Sequence, residues 1–253
     1  MPSVALQAIR EFLDEYLQID GIEDSADALN GLQLENGDQV NRIGAAVDAS
    51  ETTIQMAADE EVDLLLVHHG LFWGGSRPMT GSYYRKIAKA ILRNMAIYSA
   101  HLPLDLHPEI GNNVLLARSL QLPDPEPFFF YKGRQIGCTA RVSLDRQEIV
   151  QRLRKILGSN IWTCLSGPEI VKRIGIVTGG AGADLEQAVK EGVDTFITGE
   201  GPHHTFALAE ELRINLIYGG HYATETFGVR ALAEIVAKKF ELAWKFLDHP
   251  SGL

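Results

Sequence analysis

Cysteine is nearly absent: Cys138 and Cys164 are the only two in 253 residues, far apart and outside any CxxC pair or zinc-ribbon spacing. That excludes a disulfide framework and a closed thiolate metal site, and buried free thiols are expected instead. Positive charge is also short, with 23 Lys and Arg against 33 Asp and Glu and a formal net charge of −10. No basic cluster offsets this balance, so a phosphate backbone would be repelled and nucleic-acid binding is not expected. No stretch of about 18 apolar residues is available to cross a bilayer. The opening "MPSVALQAIREFLDEYLQID" has helical periodicity and early charges rather than the apolar core of a signal peptide. A soluble cytoplasmic protein with no membrane partner is expected. The Lys-Ser/Thr of a P-loop is missing too, and without a GxSxG elbow or a cysteine beside a histidine covalent catalysis has no support.

What the chain has is a copy of itself, and its 45% hydrophobic content suffices for a sizeable core. "RIGAAVDASETTIQMAADEEVDLLLVHHG" (residues 42–70) runs in constant register with "RIGIVTGGAGADLEQAVKEGVDTFITGEG" (residues 173–201). Each reads as strand, turn, amphipathic helix (52–60 and 183–191) and second strand, a βαβ unit. Strands 64–67 and 195–198 lack polar alternation, as strands covered on both faces do. After a longer loop in the first copy, "AIYSAHLPLD" (96–105) aligns with "LIYGGHYATE" (216–225), so both copies end a strand in His-x-x-x-carboxylate. The fold class expected is α/β, two duplicated α/β repeats with mixed, largely parallel sheets. "LPDPEPFFFYKGRQIGC" is read as a crossing between halves. The boundary is placed at Leu122, giving a first repeat 1–122 with the HHG and AHLPLD motifs. The second, 123–253, carries the TGE and GGHYATE motifs, its C-terminal part packing back on the first. "SLDRQEIVQRLRKILG" adds an amphipathic helix.

In open α/β sheets ligands bind beyond the carboxyl ends of strands. His68 and His69 close one strand, Glu200 closes its counterpart, and His101 with Asp105 and His221 with Glu225 follow two others. Imidazole and carboxylate without thiolate are the ligands of open zinc, iron, manganese or nickel sites, and their surplus points to two ions. Adjacent histidines on an extended backbone point to opposite sides, so each could serve a different ion. "TGGAGAD" (178–184) could cradle a phosphate at a helix N-terminus, or form a tight turn with Asp184 as cap. His203 and His204 could line the pocket or begin an exposed helix. Phe72 and Trp73 could cover a planar base, seal the site, or pack in the core.

"NGLQLE", "VDLLLVHHGLFW", "AHLPLD", "TGEGPHH" and "GGHYATE" together resemble, over essentially the whole chain, the GTP cyclohydrolase 1 type 2 homologues, also called Ngg-interacting factor 3-like proteins. The resemblance is to their short form, without the domain that longer members insert between the halves. It implies intertwined repeats and a homohexameric toroid with metal sites facing its interior. It also implies a dinuclear centre held by His68, His69, Asp105, His221 and Glu225. The function expected is a metal-dependent hydrolase acting on a nucleotide-like or phosphorylated small molecule, with two divalent ions (Zn, Fe, Mn or Ni) per subunit. By resemblance it is GTP cyclohydrolase-like. Glu200, His101 and His204 are candidates to move protons. The alternatives are a non-catalytic metal carrier and a regulatory partner-binding ring protein.

Overall fold

The apolar runs of the two copies become the parallel centres of two sheets. The computed structural model describes residues 3–25, 28–75 and 77–253. It divides into two compact units, Met1–His107 with Gly228–His249, and Pro108–Phe227 with Pro250–Leu253.

In the first unit, strands Arg42–Asp48, Leu64–His69 and Ala96–Ser99 run parallel side by side. Ala243–Phe246 adds in parallel to Arg42–Asp48, and Gly31–Leu34 closes the other edge antiparallel to Ala96–Ser99. Every residue of Leu64–His69 is buried, which is why the run carries no polar alternation. Helix Glu51–Asp59 starts on a capping box between Ser50 and Thr53. It buries Ile54, Ala57 and Ala58 in one cluster with Tyr83 and Ile87 of helix Gly81–Leu92 and with Leu65, Val67 and Ile97 of the sheet. Helix Leu6–Leu17 buries Leu6, Ile9, Leu13 and Leu17 at the three- and four-residue spacing of a single face.

In the second unit the order is Glu126–Tyr131, Arg134–Asp145, Ile170–Val177, Thr195–Thr198, Asn215–Tyr218 and Trp162–Leu165. The middle strands Ile170–Val177, Thr195–Thr198 and Asn215–Tyr218 are parallel and their flanking neighbours antiparallel. Phe196 and Leu216 pack on one face with Leu185, Ala188 and Ala209. Ile197 and Ile217 pack on the other with Leu116, Ile149 and Leu153. Each strand thus feeds two cores. Helix Arg146–Leu157, capped by Asp145, buries Ile149, Val150 and Leu153 and carries Arg154 and Lys155 in its last turn.

Two expectations change. The segment read as a crossing is a hairpin: Glu126–Tyr131 pairs antiparallel with Arg134–Asp145, and Phe129 stacks on Phe196 at 5.7 Å. The division between units falls at His107/Pro108, Phe227/Gly228 and His249/Pro250, not at Leu122. The reason is packing, since Leu116, Leu120 and Leu122 belong to the core of the second unit. Among the described residues no helix is long and apolar enough to cross a membrane.

Candidate metal centre

His68 and His69 are the last two residues of their strand, both buried. They lean toward opposite neighbours in the sheet. His68 Nδ1 lies 2.9 Å from the Ala100 carbonyl beyond the strand on one side, and His69 Nδ1 lies 2.9 Å from Asp48 Oδ1 at the end of the strand on the other. The two rings are nevertheless 4.9 Å apart, and the His101 ring is 4.9 Å from His68 and 5.7 Å from His69. One nitrogen from each of the three falls within 4.8 Å of the others. His101 sits at the start of the short helix Leu102–Asp105, with Nδ1 2.8 Å from Asp24 Oδ1. At the far end of that helix, Asp105 Oδ2 is 3.5 Å from His68 Nε2.

Asp24 carries an unusual load. It also accepts from the backbone N–H groups of Ser25 and Leu102 and from the Asn30 side-chain amide. Burial raises its pKa, but the hydrogen bond and charge of His101, together with Asn30 and Ser25, outweigh it and hold the carboxyl down to about 2. Asp24 and Asp48 were not singled out in the sequence, and the only signal for either was a carboxylate near a turn.

In the second unit, Glu225 is buried and its Oε2 lies 3.2 Å from His221 Nε2, one helical turn earlier. His221 Nδ1 is 2.8 Å from Glu200 Oε1. Burial works against a charged ring, yet the hydrogen bonds and charges of Glu225 and Glu200 raise the His221 pKa to about 9. The glycines of "TGGAGAD" lie against this pair. A Cβ on Gly179 would collide with the Glu225 carboxylate, and one on Gly180 would stand 3.6 Å from the His221 ring. The rest of the motif, Ala181–Asp184, is a 3-10 turn, and Asp184 makes no side-chain cap bond.

His204 begins helix Thr205–Leu212 in an exposed position, while His203 lines a groove. Phe72 packs against the core, whereas Trp73 lies over the imidazoles, 4.4 Å from His69 and 4.7 Å edge-on from His101. The donors are imidazole nitrogen and carboxylate oxygen, with both cysteines buried in the sheet of the second unit. This set fits a divalent cation of the zinc, iron, manganese or nickel kind.

The sequence profile of the Duf34/NIF3 (NGG1p interacting factor 3) proteins matches residues 4–251. The chain belongs to this family. A relative named GTP cyclohydrolase 1 type 2 homolog in Deinococcus radiodurans is 41% identical over 96% of this chain and 92% of its own length. Its namesake in Pyrococcus horikoshii is 40% identical over 97% and 98%. Among solved structures of the family's fold, TTHA1606 from Thermus thermophilus matches with a TM-score of 0.91 and 39% identity, over 99% of this chain and all of the other.

Proposed function

We propose that this NIF3-family protein binds two divalent cations per chain and uses them as a hydrolase on a nucleotide-like or phosphorylated small molecule. The proposed ligands are His68, His69, Asp105, His221 and Glu225. One observation carries the metal reading: His68, His69, His101 and His221 each commit Nδ1 to a carbonyl or a carboxylate. That arrangement fixes ring orientation and tautomer for coordination through the other nitrogen. A bound divalent cation supplies Lewis acidity and lowers the pKa of coordinated water.

The chain's own groups do the rest. The Ala100 carbonyl, Asp48, Asp24 and Glu200 orient the four rings, and Asp105 and Glu225 bring the negative charge that a pair of cations requires. Trp73 covers His69 and His101 and limits the access of bulk water. Glu200, nearly half exposed and bonded to His221, is assigned to exchange protons with solvent beside that ring. The hydrolytic part is supported by the lack of thiolate donors, by the placement at strand carboxyl ends and by the name of the relatives. Assembly into a hexameric ring belongs to the same proposal, and light scattering should then give six chain masses.

Protein purified without added metal and analysed by mass spectrometry should hold two equivalents per chain. His68→Ala and His221→Ala should each lose metal, and the loaded protein should turn over at least one of a panel of nucleotides, cyclic phosphates and amides. Metal that stays bound in both variants would overturn the ligand assignment. Full loading with no turnover on any substrate would leave a metal carrier in place of an enzyme.

A further inference from the structure

A groove of about 440 Å3 opens in the second unit, lined by Trp162, Pro202, His203, Thr205, Phe206 and Tyr218. That volume is within the range of small-molecule sites. The Trp162 and Tyr218 rings stack at 5.0 Å and 24°, and Phe206 stands edge-on to Trp162 at 6.2 Å. Tyr218 is held by a hydrogen bond with the Thr205 hydroxyl, which in turn donates to the Pro202 carbonyl. Trp162 and Phe206 remain 40% and 44% exposed. A rigid aromatic wall left open in a concave surface suits a flat partner.

The groove's position follows from sheet register. Trp162 pairs with Tyr218, the last residue of its strand, and three residues further on is His221. Three residues span at most about 10 Å. Gly201, which follows Glu200, also borders the groove, and a Cβ there would strike the Tyr218 hydroxyl. The groove and the His221–Glu225 pair therefore share one carboxyl edge of the sheet. Among the described residues no Lys or Arg lines it, so affinity for a nucleotide would come from the ring and not from its phosphate.

We propose that this groove seats the flat heterocycle of the substrate, a nucleobase or a comparable fused ring, against Trp162 and Phe206. The remainder of the molecule extends along the carboxyl edge toward His221 and Glu225. This rests on the nucleotide-like substrate class proposed above, and its test is independent of turnover.

The probe is GMP, with ribose 5-phosphate as its ring-free counterpart, followed by calorimetry and saturation-transfer NMR on the full chain before and after EDTA. GMP should bind in both states, with base protons receiving more saturation than ribose protons, and ribose 5-phosphate should not bind after EDTA. Phe206→Ala and Trp162→Ala should each weaken GMP about tenfold with metal content unchanged, about 1.4 kcal/mol per tenfold. His221→Ala should lose metal yet keep the affinity for GMP seen after EDTA. Absence of GMP binding by the EDTA-treated wild type overturns the proposal, as does an affinity that both aromatic variants leave unchanged. An oligomeric state altered by Phe206→Ala, with GMP affinity intact, assigns the groove to a second copy of the chain and also overturns it. Missing metal or turnover with GMP binding intact sinks the hydrolase reading alone.

Discussion

Gly179 has φ +72°, and the space where a Cβ would lie is filled by the Glu225 carboxylate. Gly133, at φ +79° in the hairpin turn, has none of the described residues within 4 Å of the same position. The pair separates backbone strain from contact. Gly133→Ala should cost only the left-handed strain, about 1–2 kcal/mol, and leave metal binding unchanged. Gly179→Ala should cost more and also lose metal from His221 and Glu225, because the carboxylate must move. Equal metal content in the two variants would sink the argument. "TGGAGAD" was conspicuous in the sequence, but as a phosphate loop or a capped turn, since nothing in its spacing marks Glu225 as its neighbour. Asp48 was missed for a related reason, and Asp24 lies outside the duplicated segments altogether. In the second copy the position of Asp48 is Gly179 and that of His69 is Glu200, so self-comparison shows divergence there and no shared motif.

At the scale of elements, helix Leu185–Lys190 and the Phe-rich hairpin are tied by Gln187 and by Glu191 at the helix end. Glu191 accepts the backbone N–H groups of Phe129 and Phe130 at 2.8 and 3.0 Å, while Gln187 donates to the Phe130 carbonyl. Burial raises the Glu191 pKa, but the bonds from Gln187, Phe130 and Phe129 and the Arg173 charge bring it below its ordinary 4.5. A carboxylate depressed on folding stabilises above its unfolded pKa, and the contribution is lost as pH falls through the folded value. Wild type should therefore melt above Glu191→Gln at pH 7, with the gap closing as the pH drops below about 4.5. A gap independent of pH would remove the carboxylate's charge from the account. The continuous apolar strands around Leu65 and Phe196 were legible because burial on both faces leaves a plain composition signal. The hairpin was not. Phe129 takes φ +67° inside its strand, so it and Phe128 are both buried where strict alternation would expose one.

For the whole molecule, a ligand that binds only the folded state stabilises by mass action, about 2.7 kcal/mol at a hundredfold excess over Kd. For a chain of this length that corresponds to a rise in Tm on the order of 5–10 °C. EDTA should lower the melting temperature by about that amount, and added zinc or manganese should restore it. A melting curve indifferent to both would count against resident metal. The order of residues by itself determined the duplication, the βαβ units, the family and the histidines and carboxylates at the strand ends, because periodicity and motif spacing are local properties of the chain. Only the tertiary structure decided which group holds each ring. Asp48 reaches His69 across 21 residues and Asp24 reaches His101 across 77, and such pairings are set by sheet register and by where loops return, which no local pattern encodes. The aromatic groove is of the same kind, since Trp162 meets Tyr218 only once an antiparallel strand has been laid against a parallel one.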